Sequence, residues 1–241
     1  GGNILTKAKK LNILPTKIID SSASLVPFDP PKPLLDALNS EIKSLGFRYY
    51  PERDLNNLRE IIGKFHQINP DNILPGNGAS ELITWAGYEA SICGVSSIPS
   101  PGFVDYERSL DCWNGSFDYS ELPRNWSNTF PQTFPLKPIC DVLWITNPHN
   151  PTGQLWDKKS LEIILKKYKL VICDEAFLDI TPNGDKESLI PLTKTYDNLL
   201  VIRSLTKLFN IAGLRLGYAI GSSEKLQKWN TKRDPWPLNS F

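Results

Sequence analysis

The chain has 241 residues, of which 40% are hydrophobic and 22% charged, with a formal net charge of +1. That length supports one sizeable core, and the near-neutral balance gives no electrostatic case for nucleic acid or an anionic membrane as partner. No apolar run is long enough for a membrane-spanning helix, and four scattered cysteines with only His66 and His149 suggest neither a disulfide framework nor a nitrogen–sulfur metal site.

The cysteines, Cys93, Cys112, Cys140 and Cys173, read as reduced and mostly buried, which together with the lack of a signal peptide implies a cytoplasmic protein. The opening Gly-Gly and the absence of methionine read as a processed or partial product.

Residues 1 to about 30 read as an extended arm, with Ile18-Ile19 as a short strand and Pro27, Pro30, Pro31 and Pro33 blocking regular helix until Leu34. Leu34, Leu35, Leu38, Ile42 and Leu45 keep helical spacing, and Gly46 reads as the C-terminal cap. After Arg48-Tyr49-Tyr50-Pro51-Glu52, Asp54 is the expected N-cap of a helix through Leu58, Ile61, Ile62 and Phe65. From about residue 70, short apolar runs alternate with helical stretches, as in a mostly parallel sheet covered on both faces. Ile73-Leu74, Val95 to Ile98, Ser116 to Leu122, Val142 to Thr146, Leu170 to Cys173, Leu199 to Ile202 and Leu216 to Ile220 are the expected strands. Helices are expected from Ala79 to about Ile92, over Gly102 to Cys112, from about Asp157 to Tyr168, and from near Ser222. Residues 123 to 138, rich in Pro, Asn and Ser, read as a surface loop.

Open α/β sheets bind ligands outside the carboxyl ends of their strands, and several chemically distinct groups fall there. Lys207, in Ser204-Leu205-Thr206-Lys207, is either a solvated loop lysine or, in a dry cationic pocket, an amine that sheds its proton readily and forms an imine with an aldehyde. Gly76-Asn77-Gly78 opens the helix at Ala79, so it is either a plain turn or an anion site built from unpaired N–H groups. It lacks the Lys-Ser/Thr ending of a nucleotide loop, and no Gly-x-Gly-x-x-Gly occurs. Asp174 ends a doubly buried strand, either as a helix N-cap or as the partner of a protonated ring nitrogen. Asn150 either shapes its turn or donates to a phenolate oxygen, and Arg215 is either a surface ion-pair partner or a bidentate phosphate ligand. Phe103 is either core or a flat face for a ring. Taken together, these groups fit one ligand, pyridoxal 5′-phosphate.

Asn-Pro-His-Asn-Pro-Thr-Gly (147 to 153), Asp-Glu-Ala-Phe (174 to 177) and Ser-Leu-Thr-Lys with the following Gly-Leu-Arg-Leu-Gly-Tyr (204 to 218) resemble the motifs of fold type I pyridoxal-phosphate enzymes. Within these the chain is similar to the class I/II aminotransferase branch that contains histidinol-phosphate aminotransferases and the threonine-phosphate decarboxylases of the cobalamin pathway. The resemblance implies Lys207 as the cofactor-attaching lysine, Asp174 at the pyridine nitrogen, Asn150 at the phenolic oxygen and Phe103 on the ring. It also implies Ala79, Ser80, Ser204, Thr206 and Arg215 around the phosphate, with Tyr50 reaching the cofactor of a neighbouring subunit in a homodimer. The implied fold is a three-layer α/β/α large domain with an amino-terminal arm. Residues 1–50 would form the arm and part of a small domain, 51–230 the cofactor-binding domain, and 231–241 the start of a connection to a small domain absent from this chain.

An amino-acid phosphate substrate and a decarboxylase are favoured over a transaminase by Phe177, which stands where transaminases commonly carry tyrosine. The segment from Asp20 to Pro27 and the stretch Lys232-Arg233-Asp234-Pro235-Trp236 also resemble the decarboxylase's substrate segment and hinge, although Ser24 and Val26 replace the more usual asparagines. Rival readings are a class I/II aminotransferase and a truncated cofactor-binding chain without turnover.

Overall fold

The computed structural model describes residues 3–123, 130–135 and 140–241. Two helices, α1 (Ile4–Leu11) and α2 (Lys32–Lys43), precede α3 (Asn56–His66) and the first strand, β1 (Ile73–Asn77). The chain then runs through α4 (Gly78–Cys93), β2 (Ser96–Ser100), α5 (Asp105–Asp111), β3 (Phe117–Glu121) and β4 (Val142–Thr146). It continues with α6 (Lys158–Leu165), β5 (Leu170–Asp174), β6 (Leu199–Ser204), α7 (Leu205–Leu208), β7 (Leu216–Ile220) and α8 (Ser223–Lys232).

The seven strands form one sheet in the order β1-β7-β6-β5-β4-β2-β3, in which only the pairings of β7 are antiparallel. Strand alternation sorts the side chains into two cores. Val171, Cys173, Leu199 and Val201 face α6 through Leu161, Ile164 and Leu165. Leu170, Ile172, Leu200 and Ile202 face α4, α5 and α8 through Leu82, Ala86, Leu110 and Trp229. This is the three-layer α/β/α arrangement that the alternating apolar runs imply, and it sets the carboxyl ends of β1, β2, β4, β5 and β6 along one edge.

Several local expectations are corrected. The first thirty residues are not simply extended: α1 occupies Ile4–Leu11, capped by the Asn3 side chain, and Ile18-Ile19 is not a strand. Helix α2 begins at Lys32, because Pro33 is tolerated in a first turn. It stops at Lys43, and Leu45 rather than Gly46 takes the left-handed conformation, with φ of 59°. No residue of α2 is buried. Asp54 does not cap α3; the Glu52 carboxylate does so, accepting from the N–H groups of Asn56 and Asn57 at 3.0 and 3.4 Å.

Of the expected surface loop, residues 124–129 and 136–139 lie outside the described residues. Its middle is anchored: Gln132 bridges to Trp156, and the Phe134 N–H donates to Ser160 Oγ at 2.9 Å. Of the four cysteines only Cys173 is buried, because the others fall at element ends rather than inside strands. No helix among the described residues is long and apolar enough to cross a membrane.

Candidate active site

A cleft of about 520 Å³ opens at the carboxyl edge of the sheet. Ala79, Ser80, Phe103, Asn150, Asp174, Ser204, Thr206, Lys207 and Arg215, nine of the expected site residues, line it together. Distant segments meet there because each lies in or just after the end of a strand, apart from Arg215, which immediately precedes β7. Tyr50 is elsewhere. It is 79% exposed, and its ring lies 4.6 Å from that of Trp236. A second groove, of about 420 Å³, is lined by Arg59, Asp71 and Arg233 and holds neither a lysine nor a buried acid.

Lys207 lies in the single turn of α7, half-buried, with Nζ 5.3 Å from the centre of the Phe177 ring. Burial lowers its pKa, the positive charge of Arg215 adds to that, and Asp174 opposes it. Asp174 ends β5 and is 4% exposed. Burial raises its pKa; the Ala176 N–H, the Tyr106 hydroxyl and the charge of Lys207 oppose this. It is not a helix N-cap: Oδ1 accepts from the Ala176 N–H at 3.0 Å within a turn.

At the Arg215 end of the cleft lies a helix start. Gly78 starts α4 at φ of 72°, and a Cβ there would fall 2.6 Å from the Arg215 guanidinium. A bare glycine thus lets the guanidinium lie against the helix start, next to Ala79 and Ser80. Arg215 has no carboxylate partner among the described residues; its recorded contact is a 3.4 Å bond to the Ala212 carbonyl. Ser204 Oγ and Thr206 Oγ1 lie 2.7 Å apart on the same side. Asn150 sits in a turn tied across its base, where Asn147 Oδ1 accepts from the Trp156 N–H at 2.8 Å and the Gly153 N–H donates to the His149 carbonyl at 2.7 Å.

Gly217, on β7, packs against this cradle. A Cβ there would meet the Ala79 nitrogen and the Arg203 carbonyl oxygen, each at 2.8 Å, and backbone cannot swing aside. Gly217→Ala is therefore expected to cost about 1–3 kcal/mol of stability, read as a lower urea midpoint, and to weaken phosphate-ligand binding at the cradle.

Some groups escaped sequence reasoning. Tyr106, 1% exposed, donates its hydroxyl to Asp174 Oδ2 at 2.9 Å, and that hydroxyl also lies 2.8 Å from Thr146 Oγ1. Its ring lies 5.6 Å from that of Phe103, and a buried phenol needs a partner. Glu175 and Arg203, at 0% and 1% exposure, form a 2.8 Å ion pair, and Arg203 also pairs with Asp179. An arginine that directly follows the apolar run of β6, within the buried strand, was the sign. Ser22, Ala23 and Ser24 also reach the cleft. His66 bonds to the Tyr218 hydroxyl at 2.7 Å and His149 to Thr152. The described residues contain no cluster of metal-ligating side chains.

The donor set fits pyridoxal phosphate. It offers an amine with a lowered pKa, a buried acid for a ring nitrogen, a cationic helix start for a phosphate, and a flat apolar face at Phe103.

The family model for aminotransferase class I and II matches residues 16–238, and the chain belongs to that family of fold type I pyridoxal-phosphate enzymes. A protein of Caldanaerobacter subterraneus subsp. tengcongensis, provisionally named a threonine-phosphate decarboxylase, is 35% identical over 225 residues, covering 91% of this chain and 60% of that one. The threonine-phosphate decarboxylase of Salmonella typhimurium is 32% identical over 251 residues, covering 100% of this chain and 67% of that one. Among solved structures, the histidinol-phosphate aminotransferase of Clostridium acetobutylicum is similar with a TM-score of 0.79 at 29% identity, over 92% of this chain and 66% of that one. The chain thus spans roughly two thirds of the length of these relatives.

Proposed function

We propose that the chain is the cofactor-binding part of a pyridoxal-phosphate-dependent decarboxylase acting on L-threonine O-3-phosphate. The observation that carries the reading is the meeting of Lys207, Asp174 and Arg215 around one cleft of suitable size. Pyridoxal phosphate, when bound, supplies an electron sink for a bond broken at the substrate's Cα.

The rest is the work of the chain's own groups. Lys207 Nζ, whose pKa burial lowers, is the amine for attachment and a group that can hold and return a proton. Asp174 presents a carboxylate that holds a proton on a neighbouring ring nitrogen. Arg215, the N–H groups of Ala79 and Ser80, and the hydroxyls of Ser204 and Thr206 receive a phosphate. Asn150 orients the phenolic oxygen, and Phe103 covers one ring face.

Decarboxylation is favoured by the names of two relatives at 35% and 32% identity. It is also favoured by Phe177, which puts a ring without a hydroxyl beside Lys207 Nζ. The aminotransferase reading is supported by the solved relative with a TM-score of 0.79. We further propose a cytoplasmic homodimer in which the exposed Tyr50 of one subunit serves the cleft of the other.

With the cofactor supplied, L-threonine O-3-phosphate is expected to release carbon dioxide without transfer of its amino group to 2-oxoglutarate. Amino transfer without carbon dioxide would establish the aminotransferase instead. A cofactor-loaded chain that does neither would be a binding part lacking turnover.

A further inference from the structure

We propose that Tyr106, with Thr146 behind it, is a positioning residue that donates to the Asp174 carboxylate, fixes its direction in the cleft and favours its ionised form. The inference rests on the cofactor reading given above. Three elements converge on this point. Tyr106 belongs to α5, Thr146 ends β4 and Asp174 ends β5.

The phenol has one proton and two oxygen neighbours, at 2.8 and 2.9 Å. An ionised carboxylate can only accept, so the phenol must donate to Asp174 Oδ2. Its own oxygen is then left to accept from the Thr146 hydroxyl. The result is a one-way chain of donors running from Thr146 through Tyr106 to Asp174. The Ala176 N–H holds the other carboxylate oxygen at 3.0 Å. Both oxygens are pinned, and the carboxylate cannot turn away from the cleft.

The phenol is suited to this role because it stays protonated: burial first, and the charge of Asp174 second, raise its pKa well above the usual range. Its ring packs 4.9 Å from that of Trp144 and edge-on to that of Phe103 at 5.6 Å. One side chain therefore sets both the acid and the aromatic face. Two other charged groups act on Asp174. Lys207 favours its ionised form and Asp105 opposes it, and neither is a hydrogen-bond partner of the carboxylate. The thiol of Cys173, the preceding residue, is buried and protonated.

The test is the protonation of Asp174 in the purified chain, followed by infrared spectroscopy as the carboxyl band that Asp174→Asn removes. Tyr106→Phe keeps the ring packing and removes the donor. It is expected to raise the Asp174 midpoint by about one to two pH units, the equivalent of one hydrogen bond to a charged group. Thr146→Val is expected to raise it by a smaller amount in the same direction, and it serves alone should Tyr106→Phe fail to fold. In a second readout, the affinity of Tyr106→Phe for pyridoxal phosphate is expected to fall roughly tenfold, and to fall further than the parent's as pH drops. An Asp174 midpoint unmoved by the folded variants would overturn the proposal. Because that midpoint is read without cofactor, a chain that shifts it but binds no pyridoxal phosphate would overturn the cofactor reading and leave the donor chain standing.

Discussion

Arg203→Met is expected to lower the unfolding free energy by about 3–5 kcal/mol at neutral pH, the usual cost of stranding one member of a buried ion pair. Arg203 and Glu175 are 1% and 0% exposed, so water cannot replace the lost partner. The guanidinium also donates to Ser188 Oγ at 3.0 Å and pairs with Asp179, while Glu175 further accepts from Ser188 Oγ at 2.9 Å and from the Leu189 N–H at 2.7 Å. Removing Arg203 leaves a buried carboxylate with neutral donors only. Burial already raises the Glu175 pKa, and Arg203 is the largest influence opposing it.

The sign of the pH dependence follows. A carboxyl whose pKa is raised in the folded chain takes up its proton there sooner than in the unfolded chain, so falling pH favours folding. Without Arg203 that gap widens. The deficit of Arg203→Met should therefore be largest at neutral pH and above, and shrink as pH falls toward the range where Glu175 protonates. Urea unfolding at about pH 5 and about pH 8 reads this directly. The double variant Arg203→Met with Glu175→Gln should recover part of the loss, because no buried charge is then stranded. A deficit under about 1 kcal/mol at neutral pH, within the ordinary range for an exposed pair, would contradict the burial argument.

Lys207→Ala carries the largest expected effect on chemistry. The variant should still bind pyridoxal phosphate through the Arg215 and helix-start cradle, which does not involve the lysine. It should lose the near-visible absorption band that borohydride fixes in the parent. Turnover should fall by at least about a hundredfold, the lower end of what a positioned proton-transfer group supplies. Stability should hold, since the Lys207 side chain is only half-buried and makes no ion pair among the described residues. Retention of the fixable band would mean that another amine carries the cofactor.

The centre of the sheet was legible because β4, β5 and β6 are short, largely apolar runs buried on both faces, such as Val142-Leu143-Trp144-Ile145-Thr146, whose burial is complete. The grouping of the cleft was legible because ligand groups in such folds gather where strands end, and Asn150, Asp174 and Lys207 do line one cleft. What stayed hidden depends on packing between distant segments. Glu52 caps α3 in place of Asp54 through a loop geometry that the spacing of side chains does not encode. Arg203 and Glu175 are 28 residues apart, and only the pairing of β5 with β6 makes them neighbours. Tyr106 and Asp174 are 68 residues apart, and their 2.9 Å bond depends on how α5 packs against the end of β5. The exposed apolar positions of α2 and α3, among them Ile42 at 54% and Phe65 at 75%, keep their helical period without being buried by any of the described residues.

We propose Lys207, the lysine that lines the cleft with Asp174 and Arg215, as the point of attachment for pyridoxal phosphate. The most direct measurement is to load the chain with the cofactor, reduce with borohydride, digest, and locate the pyridoxyl group by mass spectrometry. A single modified peptide, with the group on Lys207, is the expected result. A group spread over surface lysines, or none retained after reduction, would contradict the account.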